Sequence, residues 1–138
     1  MRIDFYVSPE DQPQARLVLA CRLVRRAWQA GLPVFVRCAD AQQLEEMDDM
    51  LWHLRPQFFM PHNRFDDNPA APVVLAIDSQ PVLENTVLVN LDMQPAQQFE
   101  RLDRVVELVC QTPELLQQSR ENFLHYRELG FTPRRVEL

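Results

Sequence analysis

Glycine is almost missing from this chain of 138 residues: only Gly31 and Gly130 are present. Lysine is absent altogether, so all 14 basic residues are arginine. Cys21, Cys38 and Cys110 are odd in number, far apart and outside any Cys-x-x-Cys pattern. That spacing argues against a disulfide framework or a zinc site and points to a reducing compartment. No apolar run approaches the roughly 20 residues that span a bilayer, and no signal-peptide core opens the chain. A cytoplasmic protein with no membrane partner is expected. The net charge of −6 disfavours a protein that coats nucleic acid unaided, because neutralising phosphates needs a basic surface.

The scarcity of glycine tells most at the first turn. Strand and helix alternate along the chain as in a nucleotide-binding α/β domain. Cradling a phosphate after the first strand takes glycines that let backbone N–H groups approach the anion. The turn here reads Ser8-Pro9-Glu10-Asp11-Gln12-Pro13, with two prolines that lack N–H groups and two carboxylates that repel phosphate. The layout is a nucleotide binder's, without the site.

The strands are expected at Ile3–Val7, Pro33–Cys38, Gln57–His62, Val73–Ile77 and Thr86–Leu91. Val105–Val109 reads as a sixth, because its β-branched residues outweigh a continuation of the short helical turn expected at 96–102. The first helix runs from about Asp11 to Ala30, with Leu17, Cys21, Val24 and Trp28 along one face and Gly31 as its left-handed stop. Asp40 and Gln43 form a capping box ahead of the helix that carries Leu44, Met47, Leu51 and Leu54. The last helix runs from Thr112-Pro113 to Gly130. Residues 63–72 read as a polar loop. The chain is therefore read as one α/β domain, residues 1–138: three layers around a largely parallel sheet, with Rossmann-like topology and no phosphate-binding loop.

Two constellations stand out. Leu116, Arg120, Phe123 and Arg127 follow one another at 4-3-4 spacing, so two guanidiniums flank an aromatic ring on one helical face. Neither arginine has an acidic residue three or four positions away. Such a pair can grip an acidic peptide or a terminal carboxylate beside an apolar pocket. The alternative is an amphipathic helix that buries Phe123 and leaves its arginines in solvent. In the second constellation, Trp52, Phe58, Phe59 and Met60 put four large apolar side chains into nine residues. They can form core, or present Trp52 and Phe59 to a partner.

Catalytic patterns are poor. His53, His62 and His125 show no metal-ligand spacing, and Cys21 and Cys38 sit in apolar segments typical of core thiols. Glu45, Glu46, Asp48 and Asp49 read as a solvated helix face. Neither a catalytic residue, a metal nor a cofactor is expected.

Taken together, the chain resembles the chi subunits of bacterial DNA polymerase III holoenzyme. The resemblance rests on Ile3-Asp-Phe-Tyr-Val7, Trp28-Gln-Ala-Gly31, Val34-Phe-Val-Arg-Cys38, Leu51-Trp52, Phe59-Met-Pro-His-Asn63 and Arg120-Glu-Asn-Phe-Leu-His-Tyr126-Arg-Glu-Leu-Gly130-Phe131. It covers essentially the whole chain. It implies a non-enzymatic connector in DNA replication that joins the clamp-loader psi subunit to the acidic C-terminal tail of single-stranded DNA-binding protein. By matching position, Arg120 would be the main tail-binding residue, with Phe123, Tyr126 and Arg127 around it. Trp52 and Phe59 would belong to the psi-facing surface, which in the family can also engage a helicase-like partner. The chain departs where Leu116 and Leu124 stand at positions that are lysine in better-known relatives. Arginines elsewhere, Arg134 and Arg135, are the residues that could make up the charge. The competing readings are a small α/β enzyme, which needs reactive groups converging at the carboxyl ends of the strands, and a direct binder of single-stranded DNA, which needs a basic groove.

Overall fold

The computed structural model describes residues 1–53 and 60–138. Among them, seven strands form one sheet: β1 (Arg2–Val7), β2 (Val34–Arg37), β3 (Asn63–Arg64), β4 (Val73–Ala76), β5 (Thr86–Asn90), β6 (Leu102–Val109) and β7 (Arg134–Glu137). Every pairing is parallel, in the order β3-β4-β2-β5-β6-β1-β7. The helices are α1 (Pro13–Gln29), α2 (Ala41–His53) and α3 (Pro113–Glu128).

β4 and β5 are buried along their whole length, which is why they read as unbroken apolar runs: helices or loops cover a parallel sheet on both faces. On one face α1 and α2 pack against Val34, Val36, Leu75, Val89 and Leu108. On the other, Tyr126 of α3 packs with Ile3, Phe5, Val7, Phe35 and Val105. Burying side chains of this size stabilises by about 1.5–3 kcal/mol each. The result is the expected three-layer α/β architecture. β1 lies beside the edge strand β7, with β6 on its inner side.

Both glycines end helices in the same way. Gly31 has φ +83° and Gly130 φ +97°. The N–H of Leu32 returns to Ala27 O and that of Gly31 to Trp28 O. Phe131 and Gly130 repeat the pattern on Tyr126 O and Arg127 O. This 6→1 and 5→2 arrangement is the Schellman stop, whose left-handed residue is cheapest as glycine. The Asp40 cap forms, with its return bond shifted by one residue: Asp40 Oδ1 accepts the Gln43 N–H at 2.8 Å, and Gln43 Oε1 accepts the N–H of Ala39, just before the cap, at 2.7 Å.

The turn after β1 uses its donors internally. Ser8 N–H bonds to Val109 O at 2.8 Å, and Glu10 N–H to Ser8 Oγ at 3.2 Å.

Four local expectations change. Residues 96–102 contain one turn, closed by Leu102 N–H on Phe99 O, and no helix, whereas 105–109 is strand as expected. The loop expected at 63–72 begins with β3, a two-residue strand too short to leave a periodic signal. β7 has no counterpart among the expected strands: Arg-Arg-Val-Glu lies at the sheet edge and is mostly exposed, so no apolar alternation marks it. Of the strand expected at 57–62, residues 57–59 lie outside the described residues, as does Leu54; Met60–His62 is not strand.

Candidate functional site

α3 is held by polar clamps as much as by apolar area. Only Leu115, Asn122 and Tyr126 are buried along it. Asn122 Nδ2 donates to Met93 O at 2.9 Å. The Tyr126 hydroxyl donates to Glu107 Oε2 at 2.6 Å and accepts the Ala96 N–H at 2.8 Å. Glu107 Oε2 also accepts from Asn90 Nδ2 at 3.0 Å. Burial pushes the Glu107 carboxyl up to about 7, against the downward pull of the Asn90 and Tyr126 hydrogen bonds and the Arg16 and Arg37 charges. Burial, followed by the charge of Glu107, raises Tyr126 above its ordinary range, so the hydroxyl stays a neutral donor. With Tyr126 fully buried and Glu107 5% exposed, this network is a structural clamp that fastens α3 to β6.

Because the buried face of α3 is narrow, its flank stands free of the sheet and leaves a cleft of about 390 Å³. Phe5, Val7 and Val109 line it from the sheet, and Leu116 and Phe123 from the helix. The Phe5 and Phe123 rings pack at 5.2 Å, tilted by 55°. Charge is supplied from both sides: Arg120 from α3 and Arg135 from β7. Ser119 and the exposed Leu124 complete the helical wall. An apolar slot bordered by two guanidiniums can take an apolar side chain together with one or more carboxylates.

Arg120 and Phe123 therefore meet in one cleft. Tyr126 does not line it; its hydroxyl is committed beneath, and it can act only by positioning α3. Arg127 is exposed in the last turn of α3 and is likewise not among the lining residues. The stripe read from spacing is correct for two turns, and then the cleft ends. Sequence reasoning missed Phe5, Val7 and Val109 as its floor. Their alternation marked them as core, and they are buried; nothing local showed that a cleft beside α3 would reach down to them.

Trp52, in the last turn of α2, is 46% exposed. Its ring lies 4.7 Å from that of His62, which is held by Asp48 Oδ1 at 2.8 Å and Met60 O at 3.0 Å. Phe59 lies outside the described residues. The acidic face of α2 is partly used: Glu45 and Asp48 hold Arg64 at 2.7 and 3.2 Å.

Elsewhere, burial pushes Cys21 and Cys38 up to about 12, leaving both as inert thiols. Among the described residues, no three His, Cys, Asp or Glu side chains are grouped to hold a metal ion. No helix among them is long and apolar enough to cross a membrane. Asp4 is buried in the sheet and held by Arg2, Arg104 and Arg134 at 3.0, 2.9 and 2.8 Å. Burial pushes its carboxyl up, but the Arg134 hydrogen bond and the three positive charges outweigh this and keep it below the ordinary value.

The family model described as "DNA polymerase III chi subunit, HolC" matches residues 1–134. This chain belongs to the DNA polymerase III chi family. It is 39% identical over 130 residues to DNA polymerase III subunit chi of Pseudomonas aeruginosa, covering 94% of this chain and 92% of the relative. The chi subunit of Escherichia coli is 29% identical over 116 residues, covering 82% and 79%. That of Haemophilus influenzae is 25% identical over 130 residues, covering 92% and 90%. All three relatives are chi subunits of DNA polymerase III. In this chi-family chain the cleft side chains of α3 and β1 fall within the matched stretch, whereas Arg135 lies just beyond it.

Proposed function

We propose that this chi-family chain is a non-catalytic adaptor of the polymerase III clamp loader. It binds the acidic C-terminal tail of single-stranded DNA-binding protein in the α3 cleft and the psi subunit at the Trp52 surface. The observation that carries the first half is the pairing of Arg120 with an apolar slot lined by Phe5 from the sheet and Phe123 from the helix. A tail that ends in an aromatic residue with a free carboxylate matches both features. Acidic residues upstream add attraction that salt screens.

Anisotropy with a labelled acidic peptide ending in Pro-Phe tests this reading. Binding is expected with the free carboxylate, with a large loss when it is amidated and further weakening as salt rises. Equal affinity for both peptides would count against the cleft as a carboxylate site.

The exposed Trp52 ring, seated on His62 at the end of α2, supports the second half; Phe59 is assigned to that surface from the family resemblance. Trp52→Ala is expected to weaken psi capture at least tenfold, an aromatic hot-spot effect, with tail-peptide affinity unchanged. Joint loss of both activities with a lowered melting temperature would instead assign Trp52 to folding. A helicase-like protein would compete with psi for this surface.

A further inference from the structure

We propose that Arg135 is the second anchor of the α3 cleft and that Glu137 is its built-in competitor. This rests on the cleft being the acidic-tail site proposed above. β7 pairs with β1 so that Arg134 lies opposite Asp4 and Arg135 opposite Phe5. Successive strand residues point to opposite faces. Arg134 is accordingly drawn to the buried Asp4, at 2.8 Å on the α1 side, while Arg135 projects on the Phe5 side and lines the cleft. The two adjacent arginines therefore have separate roles: one closes a buried ion cluster, and the other is left for a ligand.

The charge count makes Arg135 matter. Leu116 and Leu124 bring no charge to the helical wall, and the chain has no lysine. Arg120 and Arg135 are the two cations among the lining residues. They come from different elements, so a peptide lying between them can place one carboxylate on each.

Arg135 is already engaged. Its Nε lies 2.5 Å from Glu137 Oε1, and both side chains are 64% exposed. An exposed pair of this kind is weak, so an incoming carboxylate can displace Glu137. Affinity is thereby reduced, and the salt dependence of binding includes the breaking of an internal pair.

The test measures peptide affinity for wild type, Arg135→Ala, Glu137→Gln and the double variant, using the labelled acidic peptide ending in Pro-Phe. Arg135→Ala is expected to weaken binding roughly three- to tenfold, as for loss of one exposed charge-assisted hydrogen bond. Glu137→Gln is expected to strengthen it roughly two- to fivefold. In the Arg135→Ala background, the Glu137→Gln gain should shrink to within error, because the competitor acts through that arginine. Circular dichroism melts monitor folding, and Arg135→Gln serves as a milder replacement. Wild-type binding that is unchanged in Arg135→Ala and Arg135→Gln would overturn this inference and leave the cleft reading intact. A Glu137→Gln gain of equal size with and without Arg135 would also overturn it, reducing Glu137 to a remote charge. Failure of the wild type to bind the peptide would overturn both.

Discussion

Arg120→Ala is expected to fold as well as wild type and to lose roughly 10- to 100-fold in affinity for an acidic peptide with a free terminal carboxylate. The size follows from a charge-assisted hydrogen bond to the ligand, about 1.5–3 kcal/mol, at tenfold per 1.4 kcal/mol. The fold survives because Arg120 is exposed and has no acidic residue within helical reach; surface changes of this kind usually fall within about 0.5 kcal/mol. Titration calorimetry beside a thermal melt separates the two effects. A folded Arg120→Ala protein that binds like wild type would remove the α3 cleft from the proposed function. The amidated peptide supplies an internal control: it should bind wild type and Arg120→Ala almost equally, since the group that Arg120 meets is gone.

Stability should fall as pH rises through neutrality, because of Glu107. Its carboxyl titrates near 7 in the folded chain against an ordinary 4.5. Between those values the folded protein holds a proton that the unfolded chain has released, so each rise in pH favours unfolding. The contribution is fully present below about 4.5 and is gone above about 7. Holding a proton across that interval is worth on the order of 3 kcal/mol, since a tenfold change in proton affinity corresponds to about 1.36 kcal/mol. Glu107→Gln keeps the shape and an acceptor for Tyr126 and Asn90 while carrying no charge. Urea midpoints from about pH 5 to 8 should decline in wild type and stay flatter in Glu107→Gln, with the variant the more stable at the alkaline end. Parallel curves would mean that Glu107 does not carry the proton. Asp4 acts in a separate window: held low by its arginines, it withdraws stability only as pH falls below the ordinary carboxylate range.

The enzyme reading requires reactive groups that converge in an open pocket. Glu107 is the perturbed carboxylate nearest to that description. It is fastened by Asn90 and Tyr126, and its role is to lock α3 onto the sheet.

The layered α/β fold, both helix stops and the Asp40–Gln43 cap were legible residue by residue. These features depend on short-range physics: a run of apolar β-branched residues, a glycine allowing positive φ, a side chain within reach of its own backbone. The Arg120–Phe123 half of the cleft was legible for the same reason, since helical periodicity places them together. Tyr126 shares that helix, yet it belongs to the clamp, because its hydroxyl meets Glu107 from a strand 19 residues away in sequence. Spacing cannot distinguish a flank from a buried face until the partner surface is present. Arg134 and Arg135 show the limit most sharply. They are identical neighbours in the sequence, and the register of β7 against β1 sends one to Asp4 and the other to the cleft. Composition and local pattern determine which elements form and where they stop. Which side chain of an element meets a ligand depends on strand order and register, set by contacts between distant parts of the chain.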